Sequence, residues 1–309
     1  HRDLHSFPTR RSSDLKGLWR RFTPGGKTRT APPNWMMALS TLLWNHDFER
    51  SVRRLTRKNP PTLIYARSGW MAWPYQTIKK RLGVPMFLEV NCVFTNEKRD
   101  RGENAWDGLC RAIESRMFQA TDQILPVSDL LKEQITALGI APGKVIVTPT
   151  AVDLEAFRPA APGERPAGRF LVGAVNSMRA YHGMGTLLSA ARLLRERIPG
   201  FGLLLIGGGF TFEQVKQEAR ALGVDDITEF TGIIDHSQVP VRLRECSLCA
   251  APYEGEVNQY NCPMKLYEYM GLKIPIVASD WGDIPNIVTH GRTALLHAPG
   301  DPQALAAAI

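Results

Sequence analysis

The sequence predicts an α/β protein of two doubly wound domains, each a parallel sheet covered by helices. Three observations predict it. From about residue 170, short apolar runs alternate with amphipathic stretches of helical period. The first half alternates in the same way, less regularly, and a stretch dense in proline, glycine and charge, RPAAPGERPAGR, divides the two. Strand, helix, strand at this spacing means a parallel sheet with both faces buried.

Taken in order, HRDLHSFPTRRSSDL is unlike the rest of the chain and closely resembles translated sequencing-adapter sequence. Residues 1–15 are therefore set apart from the fold. WMMALSTLLWNHDFERSVRRLTRK reads as a long helix, TLIYAR and VPMFLEVN as strands, LCRAIESRMFQA as a helix, and DQILPVS and KVIVTPT as further strands. These make a first domain over 16–158, with a linker over 159–168. In the second domain, 169–309, RFLVGAV and GTLLSAARLLRERI form a strand and helix that FGLLLIG and FEQVKQEARALG repeat. The alternation continues through ITEFTG, VPVRLREC, SLCAAPY, PMKLYEYMG, IPIVASD, IPNIVTHG and TALLHAP. DPQALAAAI stops inside a helical pattern, so truncation is expected there as well as at the start.

A chain of 309 residues with 44% hydrophobic content can fill two cores. No apolar run approaches the ~18 residues of a membrane span. The net charge of +8 points to an acidic partner: phosphates, nucleic acid or an anionic membrane. Five cysteines, an odd count without framework spacing, fit a reducing cytoplasm. Cys246 and Cys249 form a CxxC, but no second pair follows, and CSLCAAPY reads as an apolar strand holding buried thiols.

Parallel sheets bind ligands beyond the carboxyl ends of their strands, which places the loops at Arg179–Gly183, Gly207–Gly209 and Glu254–Pro263 together. PGGKT at 24–28 carries the tail of a phosphate loop but lacks its first glycine and its preceding strand, and is rejected. The three glycines after FGLLLI suit either a phosphate approach or a tight strand-to-helix turn. They lack the third glycine and the acidic partner of a dinucleotide site.

CPMKLYEYM, residues 262–270, sets a different problem. Pro263 is expected to open a helix, which puts Lys265 in the first turn, where free N–H groups already make the end positive, with Glu268 on the same face. A merely solvated helix prefers the reverse order. A bound anion resolves the conflict.

Taken together these pieces resemble the retaining GT-B-fold glycosyltransferases of family 4 (group 1). The resemblance is carried by VGAVNSMRAYHGMGTLLSAARLL, LLLIGGG, ITEFTGIIDHSQVP, LCAAPY, PMKLYEYM, IPIVASDWGDIPNIV and HGRTALLHAPGDPQALAAAI, in order over nearly the whole second half. In the first half YARSG, GVPMFLEVN, ATDQILPVSDLL, LGIAPGKVIVTP and VDLEAFRP resemble the acceptor domain of that family. The resemblance implies two Rossmann-like domains facing a cleft. It further implies that Glu268 binds nucleotide ribose hydroxyls, and that Arg179 and Lys265 contact the donor diphosphate as catalytic cations. Gly183, Gly208, Glu256, Tyr260, Asn261, Cys262, Pro263 and Met264 would line the donor.

Several positions depart from the family pattern. Tyr260 stands where a first glutamate touches the donor sugar, with Glu254 or Glu256 as replacements. His182 stands for a lysine, which predicts a charge that titrates near neutral pH and a donor affinity that falls from pH 6 to 8. PTAVD replaces PNGVD, and Lys273 replaces a glycine after the helix. EVN puts Asn91, and less strongly Glu89, where relatives place an acceptor-side histidine. The first strand and glycine-rich loop of the acceptor domain do not occur before residue 35.

The expected reaction is transfer of a sugar from a nucleotide diphosphate to an acceptor hydroxyl with retention, in bacterial polysaccharide or glycoconjugate synthesis. No cofactor and no metal are expected, since the chain has no suitable Asp-x-Asp pair. The partners are a nucleotide-sugar donor and a saccharide or lipid-linked acceptor. RRFTPGGKTR and RRLTRK suggest peripheral contact with anionic membrane at the inner face of the cell membrane. Nucleic acid is not expected, because aromatics do not interleave with these charges. The alternatives are a non-catalytic nucleotide-sugar-binding relative, a GT-B epimerase or hydrolase, and an NAD-dependent oxidoreductase.

Overall fold

The computed structural model describes residues 34–100, 106–161, 168–255 and 263–309. The start of the chain, PGGKT, RRFTPGGKTR and most of the linker lie outside the described residues, as do Glu256, Tyr260, Asn261 and Cys262. The chain divides into two compact units, His1–Pro126 with Leu131–Val147, and Val127–Leu130 with Thr148–Ile309.

In the first unit the long helix α1 (Asn34–Lys58) precedes β1 (Ile64–Arg67), α2 (Pro74–Leu82), β2 (Met86–Val90), α3 (Phe94–Asp100), α4 (Asp107–Ala120) and β3 (Gln123–Pro126). Helix α5 (Asp129–Ala137) follows. The three strands pair in parallel in the order β1-β2-β3. KVIVTPT was expected as a strand, yet it contributes a single parallel bridge, Val145 to Ile124. Pro149 has no N–H to extend that ladder.

The second unit runs β4 (Phe170–Val175), α6 (Met184–Leu194), β5 (Phe201–Ile206), α7 (Phe212–Ala221), β6 (Thr228–Gly232), α8 (Val239–Leu243), β7 (Leu248–Ala251), α9 (Met264–Gly271), β8 (Ile276–Ser279), α10 (Ile284–Ile287), β9 (Leu295–His297) and α11 (Pro302–Ala308). Its six strands are all parallel, in the order β6-β5-β4-β7-β8-β9. Every residue of β5, FGLLLI, is buried, as an interior strand covered on both faces requires. One apolar cluster joins Leu187, Leu194, Val215 and Leu305 to Val172, Leu203 and Leu205. A second, on the opposite face, joins Leu243, Leu266, Tyr269 and Trp281 to Leu171, Leu204 and Ile206. Alternate residues of β4 and β5 feed the two clusters, so the sheet is doubly wound. Phe157, from the stretch before the linker, is part of the second cluster.

The strand order reverses between β4 and β7. A reversal of this kind opens a crevice at the carboxyl ends of the strands, the place where open α/β sheets take ligands. Cys246 and Cys249 do not reach it. Both are fully buried in the core, and the absence of a side chain on Gly173 makes room for the Cys246 thiol.

Candidate donor site at the carboxyl ends of β4 and β7

Asn176 follows directly after β4 and is 5% exposed. Arg179 follows at the start of a short 3-10 turn, Ala180–His182, which closes on Gly183 with φ of 62°. A side chain on Gly183 would strike the Pro252 carbonyl, so glycine is needed for the two loops to approach. From the β7 side come Tyr253 and Glu254, whose N–H donates to Tyr181 O at 3.0 Å. The Thr186 hydroxyl donates to the Glu254 carboxylate. Tyr181, Tyr253 and Trp281 lie nearly parallel, with Tyr253 and Trp281 centroids 5.0 Å apart. The Trp281 Nε1–H donates to Gly255 O at 3.1 Å.

Helix α9 enters the crevice at its N-terminus. Pro263 was expected as its first residue and stands instead at the cap, with φ −75° and ψ 83°. The Leu266 N–H already donates to Pro263 O at 2.9 Å, which leaves the N–H groups of Met264 and Lys265 for an incoming acceptor. Met264 is itself half exposed. Lys265 and Glu268 are each 9% exposed. Tyr269, fully buried, fixes the helix: the Val175 N–H donates to its hydroxyl at 3.0 Å.

The Lys265 ammonium donates to Asn176 Oδ1 and lies 4.6 Å from the Tyr253 ring centroid. Among the described residues no carboxylate pairs with it. Burial pushes the amine down to about 7, with Glu268 pulling it back up. Burial also raises the Glu268 carboxyl, opposed by His236 and Lys265; its Oε1 is 3.8 Å from His236 Nε2.

His182 corrects an expectation. It is 7% exposed, and its Nδ1 accepts the Arg179 N–H at 3.3 Å. Its ring stands edge-on to Tyr181 and Tyr253. Burial, then the charges of Lys265 and Arg179, push it down to about 2, so it is neutral throughout the physiological range. The group of this site that titrates near neutrality is Lys265.

The three glycines resolve in favour of the tight turn. Gly207 and Gly209 have φ of 117° and 151°, and side chains there would strike the carbonyls of Asn176 and Ser177. They let the β5 loop close on the β4 loop. Gly208 faces Ile233, and the Arg179 guanidinium lies 5.8 Å from the Phe210 ring, which is 90% exposed.

In the first unit Glu89 is already engaged: Arg67 Nε and Tyr65 OH each donate to it at 3.0 Å. Asn91 Oδ1 is buried without a partner, so of the two it is the one with an acceptor to offer. Sequence reasoning missed Asn176, Tyr253 and His236. The first two could have been found, since each stands just beyond an apolar run at a strand's carboxyl end. Nothing local marks His236. Among the described residues no three His, Cys, Asp or Glu side chains gather as a metal site.

Residues 169–309 match the family described as "Glycosyl transferases group 1", and residues 8–151 match the "Glycosyl transferase 4-like domain". The chain is 26% identical over 200 residues to the amylovoran biosynthesis glycosyltransferase AmsK of Erwinia amylovora, covering 63% of this chain and 48% of that protein. It is 25% identical over 287 residues to the glycogen synthase of Mycobacterium tuberculosis, covering 89% and 67%. Thus it spans about half the length of the first and about two thirds of the second. Among solved structures, Anabaena Alr3699/HepE in complex with UDP superposes with a TM-score of 0.67 at 18% identity, covering 84% of this chain and 70% of that one. The apo lipopolysaccharide outer core galactosyltransferase WaaB gives 0.62 at 16% identity, covering 87% and 70%. Two successive glycosyl transferase domain matches, over residues 8–151 and 169–309, thus lie on a chain whose parallel sheets have the GT-B fold of these solved structures.

Proposed function

We propose that the chain transfers a sugar from a nucleoside diphosphate sugar to an acceptor hydroxyl, with retention at the anomeric carbon. One observation carries the reading. Among the described residues, a buried lysine with no carboxylate paired to it stands at a helix N-terminus at the strand-order reversal, with Arg179 on the loop that follows β4 and the Glu268 carboxylate one turn further on. This arrangement suits a diphosphate at Lys265 and ribose hydroxyls at Glu268. Relatives support it: Alr3699/HepE has been solved with UDP-glucose, and a similar Mycobacterium tuberculosis protein is a GDP-mannose-dependent mannosyltransferase.

As the glycosidic bond breaks, charge collects on the departing diphosphate. Arg179, Lys265 and the free N–H groups of α9 would stabilise that charge more than they stabilise the bound donor, which lowers the barrier. A phosphate oxygen of the leaving group takes the acceptor proton, so no side chain serves as general base. Side-chain cations balance the diphosphate in place of a metal. Asn91, with its unpaired carbonyl oxygen, is the acceptor-side contact we favour over Glu89. A saccharide or lipid-linked acceptor is the partner proposed.

The test is calorimetric titration with UDP-, GDP- and ADP-sugars, followed by turnover on saccharide acceptors. Binding of one donor class, lost in Glu268→Ala, supports the reading. Binding without transfer to any acceptor leaves a nucleotide-sugar-binding relative, and donor consumption without acceptor indicates an epimerase or hydrolase.

A further inference from the structure

Asn176 and Lys265 pose a question that diphosphate binding by itself does not answer. A buried ammonium is normally given a carboxylate, and here its hydrogen-bond partner is a neutral amide. Among the described residues, the surrounding elements do not make up the missing charge. The loop after β4 brings Arg179, a like charge, and His182, a neutral ring. From β7 come the Tyr253 ring and Glu254, whose carboxylate accepts the Thr186 hydroxyl and makes no ion pair with Lys265. On α9 itself Glu268 sits a turn away and leans to His236. An ammonium in this setting has lost its water and gained only an amide oxygen and a ring face, so it holds its proton less tightly than a lysine in water until an anion arrives. An aspartate at 176 would keep the charge in place permanently, and would also repel a diphosphate.

We propose that Asn176 and Lys265 form a ligand-dependent proton site: Asn176 holds the side chain with a neutral acceptor, and a nucleotide diphosphate enters together with one proton from solvent, which converts the amine to the ammonium. Asn176 is then a positioning residue, chosen for its lack of charge. The proposal rests on the donor-site reading above. The proton balance is simple: one proton leaves the buffer for each donor bound and returns when the diphosphate leaves. Consistent with this, burial lowers Lys265 to about 7.

The experiment titrates the full chain with UDP-glucose and GDP-mannose, whose diphosphates do not themselves titrate between pH 6 and 8. It is run at each pH in two buffers of different ionisation enthalpy, so that the buffer dependence of the heat counts protons. Close to one proton taken up per nucleotide at pH 8 and close to none at pH 6 is expected. Asn176→Asp should take up none at pH 8 and bind more weakly. Binding with no uptake at pH 8, or with equal uptake at both pH values, overturns the proposal.

If neither nucleotide binds, the donor reading fails and the proton site is still decided in the free protein. Lys265→Met should gain stability over the parent as pH falls from 10 to 7, by ~300-fold in the ratio of unfolding constants, because the unfolded lysine binds its proton first. A difference that does not change with pH overturns it.

Discussion

Lys265 and His182 have exchanged the behaviours their residue types suggest. A histidine normally titrates near neutrality and a lysine does not; here burial, with the charges of Lys265 and Arg179, pushes the histidine down to about 2, and burial brings the lysine down to about 7. In the proposed site the donor diphosphate binds the Lys265 ammonium, whose charged fraction falls as pH rises through 7. Affinity should therefore fall about tenfold between pH 6 and 8, and His182→Gln should leave that profile in place. A profile that flattens in His182→Gln would return the titration to the histidine. Lys265→Ala should lower turnover by ~10²–10³-fold, the cost of losing one strong donor to a developing anion; steady-state kinetics with the donor found by calorimetry reads it directly. Lys273 is the other informative residue. It occupies the left-handed region, φ 51°, just past α9, with its N–H on Met270 O at 3.0 Å. Lys273→Gly should raise stability by ~0.5–1 kcal/mol in urea unfolding, since glycine adopts that conformation without the Cβ penalty. The sequence already showed a lysine where glycine is usual, but only the backbone shows that the conformation was kept and the residue changed.

At the scale of elements, α9 is the piece that turns sequence pattern into a site. Its spacing of Lys265 and Glu268 was legible from CPMKLYEYM alone, and that spacing is what suggests an anion there. What the spacing could not give is how the helix is held. The Tyr269 hydroxyl accepts the Val175 N–H at the end of β4, so the strand that presents Asn176 and the helix that presents Lys265 are pinned together. Tyr269→Phe should cost ~1 kcal/mol by leaving that N–H short of a partner. It should also raise donor KM more than it lowers turnover; an unchanged KM would mean the helix needs no such tie. The glycine loop after β5 teaches the converse. Its composition fits a phosphate approach as well as a turn, and the choice depends on what lies opposite, which is the backbone of Asn176 and Ser177. KVIVTPT likewise has strand composition, but Pro149 and the want of a continuing ladder reduce it to one bridge.

For the whole molecule, a bound donor should stabilise the second unit by mass action, about 2.7 kcal/mol at a hundredfold excess over Kd. A rise in its melting temperature with the correct nucleotide sugar, and none with nicotinamide dinucleotides, would separate the transferase reading from an oxidoreductase. Among the described residues no helix is long and apolar enough to cross a membrane. Helix α1 does present Arg50, Arg53, Arg54 and Arg57 outward, with Trp44 and Leu55 also exposed. Co-sedimentation with anionic vesicles but not with neutral ones, lost when the four arginines become glutamine, is the expected outcome for a peripheral protein. The boundary expected at 159–168 differs from the division between units at Val147 and Thr148. By itself the sequence determined the alternation of strands and helices, the parallel α/β character of both halves, and the pairing of a cation and a carboxylate on one helix. Those are properties of short-range periodicity and spacing, which survive without knowledge of any neighbour. Only the tertiary structure decided the strand order whose reversal opens the crevice, and the neutral partner of Lys265, which lies 89 residues away. It decided equally which of two basic groups changes charge, because burial is a property of everything packed around a side chain and is written in no single stretch of the chain.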